Sequence, residues 1–377
     1  LVDQRGTGKS APLLCEAPKP TAPLAEGTDP ARMMARMQDC RERLQKLPHG
    51  DLRQYTTTIA MQDADAVRAA LGVSQVNVIG GSYGTRATLE YLRQFPQTVR
   101  RAIIDGVAPP DMVLPASFST DNQSALDAEF AACEAEPACA KRYPGLRAQW
   151  RAVLAGLPRE VSVMHPVTGQ LERLTVTRDW VLGLTRLPLY APVLASALPV
   201  AISEAARGRF DALLGLGGSL GGGRNGQMSE GMHFSVVCAE DVPRLAQATD
   251  RPGADFGDGF ADQYRRICAG WPRGSVPAAF YTVPPAPAAT LVLSGGADPV
   301  TPPRHGARVA KALGAKARHV VVPQAGHGVM ALGCMRDVLF RFIDADNDDA
   351  ALKVDADCAQ KMPRPPAFLP VTGEAAP

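Results

Sequence analysis

The segment Val76-Asn77-Val78-Ile79-Gly80-Gly81-Ser82-Tyr83-Gly84 decides how the rest of the chain is read. Val76, Asn77, Val78 and Ile79 make a short run of buried-strand type, and from Tyr83 to Gln94 the composition turns helical until Pro96 stops it. Between the two, Gly80-Gly81-Ser82-Tyr83-Gly84 fits G-x-S-x-G. A serine on such a strand-to-helix turn is held in strained backbone geometry, and small residues two before and two after it avoid collision there. The helix that follows aims its free N–H groups and positive dipole end at the same point. In a chain with 35 glycines the pentapeptide alone arises easily by chance, so the argument rests on its place between strand and helix.

Outward from this segment, Arg101-Ala102-Ile103-Ile104-Asp105 is a second strand, and strand, helix, strand at this spacing makes a parallel βαβ unit. Upstream, helices are predicted over residues 31–47 and 58–71, stopped by Pro48 and Gly72, after a proline-rich stretch over 11–30. The opening Leu1-Val2-Asp3-Gln4-Arg5-Gly6-Thr7-Gly8 reads as the end of a strand running into a glycine turn. Beyond Pro109 the strand signal thins, with helical stretches over 124–135, 146–157, 180–187 and 193–207 and a glycine-rich loop over 215–223. Buried strands return at 290–294 and 319–322, with helices over 304–313 and 329–343. The fold class is therefore α/β, with a mainly parallel core formed by residues 1–110 and 288–377. A mostly helical cap, residues 111–287, interrupts it.

Composition bounds the partners. The chain has 377 residues, 40 Lys and Arg against 38 Asp and Glu, and a formal net charge of +2, so neither nucleic acid nor another acidic polymer is indicated as a partner. At 46% apolar and 21% charged it has the balance of a globular protein, and no stretch approaches the ~20 apolar residues of a membrane span.

A serine hydroxyl is a weak nucleophile that needs a base, and the base needs a carboxylate to orient it and stabilise its charged form. In sheets of this kind the order along the chain is serine, acid, histidine. Asp298 in Gly295-Gly296-Ala297-Asp298-Pro299 follows one late strand, and His327 in Ala325-Gly326-His327-Gly328 follows the next. All three residues stand beyond the carboxyl ends of parallel strands, where such sheets place their sites. An Asp before Pro is commonly a turn former, and a lone His is more often structural, so the case rests on the three together. His49, His165, His305 and His319 read as structural or solvated, as does His233, with the reservation that it faces the cleft. Two look-alikes fail. Gly8-Lys9-Ser10 ends like a phosphate loop whose first glycine is replaced by Asp3. The acidic run from Asp344 has Asp349 and Asp355 where a calcium loop needs Gly and Glu. No metal or organic cofactor is called for.

The eight cysteines pair most simply as neighbours: Cys15 with Cys40, Cys133 with Cys139, Cys238 with Cys268, and Cys334 with Cys358. Sequence alone leaves 105 connectivities open. Bridges presuppose an oxidising compartment, and eight buried free thiols in a cytosolic protein are the competing reading.

Asp3-Gln4-Arg5-Gly6-Thr7-Gly8, the Ser82 pentapeptide, Gly295 to Pro302 and Gly326-His327-Gly328 resemble the proline iminopeptidase and tripeptidyl aminopeptidase family of α/β-hydrolases. Tyr190-Ala191-Pro192, Cys238-Ala239-Glu240-Asp241 and the Cys334 to Cys358 tail are similar to its exported, cysteine-containing branch. The resemblance implies a serine peptidase that acts on peptides near a free N-terminus, in the periplasm or secreted. A carboxylester hydrolase on the same triad, or a catalytically silent fragment, are the alternatives. Tyr83 would supply one oxyanion N–H. Glu240, with Asp241 beside it, is the candidate receiver of the substrate ammonium. In the family's sheet the strand that leads to an HGG-like oxyanion loop lies beside the Ser82 strand. No such segment is found in these residues, which predicts an N-terminally truncated form of a longer precursor, poorly folded or nearly inactive by itself.

Overall fold

The computed structural model describes residues 2–218 and 228–370. Four parallel strands, β1 (Val76–Gly81), β2 (Val99–Asp105), β5 (Thr290–Gly295) and β6 (Ala317–Val322), form one sheet in the order β1-β2-β5-β6. β5 is buried along its whole length, as an interior parallel strand must be, which is why its sequence is a continuous run and not an alternation. The two-residue period of the strands splits their side chains between two cores. Ile103, Leu291 and Leu293 pack on one face with Val322 and Phe342. Ala102, Ile104 and Val292 pack on the other, against Leu89 and Leu92 of the Tyr83–Gln94 helix and Val309 and Leu313 of the Pro303–Leu313 helix.

β1 is an edge strand. Its burial alternates, Ile79 is 49% exposed, and among the described residues nothing pairs with its outer edge. The glycine turn read at the start of the chain is present, but residues 2–4, read as a strand end, form no strand. The Gly6 N–H donates to the Ser10 carbonyl at 2.8 Å, Thr7 and Ser10 form an isolated bridge, and Gly6 and Gly8 take φ of +81° and +51°. With no neighbouring strand to pair with, these backbone groups are satisfied locally.

Between β2 and β5 the chain is mostly helical, with one element that went unpredicted: an antiparallel hairpin of β3 (Arg159–Met164) and β4 (Leu171–Val176). Val161, Val163, Leu174 and Val176 alternate inward, but Glu160, Ser162, Arg173 and Thr175 alternate outward with the exposed Met164 and Leu171 at the strand ends, and so short a pattern is easily passed over among helices. These residues join Trp150, Ile202 and Phe210 in a core separate from that of the sheet. The helix expected over 193–207 is two, Pro192–Ala195 and Leu198–Ala206, because prolines that lack an N–H start each. The helix expected over 329–343 starts only at Met335, and a short helix, Asp348–Leu352, follows it. Gly215 to Gly218 close the Asp211–Gly218 helix where a loop was read, and 219–223 lie outside the described residues.

All four neighbour disulfides are present, closing separations of 25, 6, 30 and 24 residues. A non-reduced digest is expected to give four linked peptide pairs and no alkylatable thiol. Reduction should cost roughly 3 kcal/mol for each of the three longer loops, measured by urea unfolding. Eight free thiols in native protein would overturn the pairing.

Candidate active site

Ser82 occupies the turn between β1 and the Tyr83–Gln94 helix with φ +54° and ψ −121°, one of two described non-glycine residues at positive φ. Such a conformation costs of order 1–3 kcal/mol and persists where the surroundings over-determine it. Those surroundings are visible. The Ser82 N–H donates to the Asp105 carbonyl at 2.9 Å, and a β-carbon at Gly80 would run into the Gly84 carbonyl, which fixes glycine there. Thr85 Oγ1 donates to the Ser82 carbonyl at 2.6 Å and accepts from the Ala108 N–H at 2.8 Å, so the elbow is bolted to the chain leaving β2. Tyr83 is the first residue of its helix, a position whose N–H has no intrahelical partner.

Asp298 follows β5 and is 2% exposed. Its Oδ1 accepts from the N–H groups of Val300 and Thr301, both at 2.9 Å; its Oδ2 accepts from Thr301 Oγ1 at 2.7 Å and pairs with His327 Nδ1 at 2.8 Å. Burial works against the Asp298 charge, but the bond to His327 and these N–H donors hold it below its ordinary range. Burial likewise works against a charged His327, and Asp298, helped by Asp105, lifts it above its ordinary value. With Nδ1–H directed at Asp298, Nε2 is the nitrogen left to act as a base. The histidine loop is held by two contacts that sequence reasoning missed. The His327 N–H donates to the Tyr190 carbonyl at 2.9 Å, and the Tyr190 ring meets the imidazole edge-on, with centroids 5.2 Å apart.

Asp105 was the other omission. It ends β2 with 1% exposure, and its Oδ2 accepts from the N–H groups of Val329 and Met330, each at 2.7 Å, just past His327. A β-carbon at the next residue, Gly106, would lie 3.1 Å from His327 Cε1. Asp105 and Gly106 thus carry both the elbow and the histidine loop, which is how residues 82 and 327 come to one place. An Asp-Gly pair after a strand reads as a turn, so no local signal marked it. Activity that needs neutral His327 is expected to fall as pH drops through a midpoint above 6.5, since the raised value keeps the imidazole charged to higher pH. Asp105→Asn should move that limb of the kcat/KM profile to lower pH. An unmoved limb would remove Asp105 from the electrostatics of the site.

In front of Ser82 lies a cavity of about 420 Å³ lined by Gln4, Thr7, Tyr83, Thr301 and several aromatic side chains. His233 does face it; burial pushes its imidazole down to about 4, which leaves it neutral near neutral pH, and Nε2 bonds the Tyr264 hydroxyl at 2.8 Å. His305 is 3% exposed and bound to Asp121 at 2.9 Å, a structural pair.

Asp241 lines the cavity, whereas Glu240 lies behind its wall. Glu240 Oε1 accepts from the Thr57 N–H at 2.7 Å and Oε2 from Thr57 Oγ1 at 3.0 Å. That hydroxyl's one proton is thereby used, so the Tyr83 hydroxyl donates to Thr57 Oγ1 (2.9 Å) and accepts from Gln4 Nε2 (3.1 Å). The Asp3-Gln4 segment is in this way wired to the residue after the nucleophile. Arg86, one turn into the same helix, forks onto Asp241 at 2.8 and 3.0 Å and stands 3.6 Å from Glu240. Burial pushes the Glu240 carboxyl up to about 7 against the pull of Arg86. Among the described residues no group of His, Cys, Asp and Glu could hold a metal ion.

A parallel sheet with a strained serine elbow and an Asp–His pair beyond its carboxyl edge defines the α/β-hydrolase fold. Residues 1–184 match the family model described as alpha/beta hydrolase fold, and residues 253–354 match that of TAP-like protein. The serine protease Hip1 of Mycobacterium tuberculosis is 26% identical over 293 residues, 71% of this chain and 55% of that protein. The tripeptidyl aminopeptidase of Streptomyces lividans is 38% identical over 120 residues, 29% and 21% of the two chains. A proline iminopeptidase of Xylella fastidiosa is 29% identical over 79 residues, 21% and 25%. The chain is an α/β-hydrolase, and the relatives it matches are named serine protease, tripeptidyl aminopeptidase and proline iminopeptidase. It spans about half the length of Hip1.

Proposed function

We propose that the chain is a serine exopeptidase that hydrolyses peptide bonds near a free N-terminus, and that residues 111–287 form the cap over its site. The observation that carries the reading is the 2.8 Å Asp298–His327 pair brought to the strained Ser82 elbow through Asp105 and Gly106. Ser82 Oγ attacks the scissile carbonyl as its proton passes to His327 Nε2; Asp298 holds the imidazolium; the Tyr83 N–H receives the developing oxyanion. The proton then goes to the leaving amine, an acyl-enzyme remains, and water activated by the same histidine releases the acid and restores Ser82.

The amine end of the substrate is assigned to the Glu240–Asp241 pair. Two carboxylates share the single guanidinium of Arg86, and Asp241 is the one at the cavity wall. An ammonium arriving there compensates charge that burial otherwise makes costly. Glu240→Gln is expected to reduce the preference for free over N-blocked substrates by roughly tenfold. An unchanged preference would end this assignment. A carboxylester hydrolase would use the same three residues, and the decisive comparison is turnover of a free-amine aminoacyl amide, its N-blocked form and a short-chain ester. Ser82 should also be the residue labelled by a fluorophosphonate; absence of labelling would favour a silent protein. The four disulfides fit an oxidising compartment, and we assign the chain to an exported location, periplasmic or secreted, on that ground. No described helix is long and apolar enough to cross a membrane.

A further inference from the structure

Arg186 is a cation in the substrate cavity that the scheme above does not use. It lies in the last turn of the Arg178–Leu189 helix and lines both the 420 Å³ cavity before Ser82 and a smaller one of about 170 Å³. Phe118 and Phe260 are the other residues common to the two, so the three side chains form a waist between them. The guanidinium carbon sits 4.9 Å from the centroid of the Phe260 ring, and Phe260 stacks on Phe118 at 6.4 Å. Ring contact of this kind fixes the plane of a guanidinium, whose five in-plane N–H donors can serve an anion as well as a neighbouring hydroxyl. Asp179 lines the smaller cavity and Asp241 the larger, yet neither forms an ion pair with Arg186, and Asp241 is already forked by Arg86.

The position of this cation relative to the chemistry is set by its helix. Arg186 and Tyr190 are four residues apart and so share one face. Tyr190 is the residue whose carbonyl and ring hold His327. The Tyr190 hydroxyl is buried, and Arg186 acts on it both by its charge and through a side-chain hydrogen bond, which ties the guanidinium to the tyrosine that holds His327. His327 hands its proton to the leaving amine, so the side of the cavity next to His327 is the leaving-group side. Asp241 belongs to the other charged cluster, around Arg86 and Glu240.

We propose that Arg186 receives the C-terminal carboxylate of the leaving fragment, which makes the preferred substrates short peptides whose free C-terminus lies close to the scissile bond. This rests on the exopeptidase reading and narrows its substrate class. A guanidinium between aromatic walls, with no carboxylate partner among the described residues, donates bidentately to a carboxylate, and a substrate with a neutral end leaves that charge uncompensated. Arg186 is a specificity-determining residue and takes no part in bond making.

The test uses short unblocked alanine peptides of increasing length, each prepared as free acid and as C-terminal amide. The wild-type protein is expected to favour the acid by about tenfold in kcat/KM at the shortest cleavable length, with the ratio shrinking as the peptide grows. Arg186→Met should bring the ratio close to one while leaving turnover of the amides near wild type, and Arg186→Lys should keep part of it. Equal handling of acid and amide by the wild type, or a ratio that survives in Arg186→Met, overturns the proposal. The same pairs titrated into Ser82→Ala protein give the ratio as binding. Absent turnover with a preserved binding ratio therefore counts against the peptidase reading alone, and a binding ratio of one counts against Arg186.

Discussion

Ser82→Ala and His327→Ala are each expected to lower kcat by about 10⁴–10⁶, and the double variant should be no worse than the more damaged single one. The reason is geometric. Ser82 without the base is a hydroxyl of ordinary reactivity, and His327 without the serine has nothing to deprotonate, so either loss removes the same step. Asp298→Asn should cost about 10⁴, because the amide no longer fixes the proton on Nδ1 or stabilises the imidazolium. His305→Ala provides the contrast: its partner is Asp121, and its loss should act on stability, with kcat within a few-fold of wild type. Steady-state turnover of a free-amine substrate, with circular dichroism to confirm folding, decides the matter. Near-wild-type turnover by Ser82→Ala, or loss of activity in His305→Ala with the fold intact, would displace the triad.

Among single substitutions the largest effect on stability is expected from Arg86→Met. The guanidinium is 1% exposed and is the counterion nearest two adjacent buried carboxylates, besides donating to the Pro109 and Met112 carbonyls at 3.3 and 3.1 Å. Removing one partner of a buried pair costs about 3–5 kcal/mol because the remaining charge is left without compensation. The loss should depend on pH with a definite sign. Without Arg86 the folded state binds a proton on Glu240 more tightly than the unfolded chain does, so stability falls as pH rises through the interval between the unfolded and folded values. Glu240 already stands at about 7 with Arg86 present. Urea unfolding of wild type and variant under mildly acidic and mildly alkaline conditions should therefore show the larger deficit in the alkaline sample. An equal deficit in both, or one below about 1 kcal/mol, would mean that solvent reaches the cluster.

The sequence by itself determined whatever depends on neighbours along the chain. The elbow was legible because strand, glycine turn and helix follow one another within a dozen residues and because only glycine at position 80 clears the Gly84 carbonyl. Asp298 and His327 were legible as polar residues in turns directly after buried strands, in the order the chemistry requires. The nearest-neighbour disulfides agree with the structure because short loops close at small entropic cost. Tertiary structure decided the rest. Tyr190 holds His327 from 137 residues away, Asp105 reaches residues 329 and 330, and Thr57 takes both oxygens of Glu240, a contact spanning 183 residues that sets this carboxyl behind Asp241 at the cavity wall. Tyr190 and Glu240 stand in segments that resemble the family, but nothing local to any of these residues shows what it touches. Residues 2–4 show the same limit from the other side: a segment composed like a strand end becomes one only where a second strand supplies its hydrogen bonds, whereas the glycine turn after it forms from its own residues.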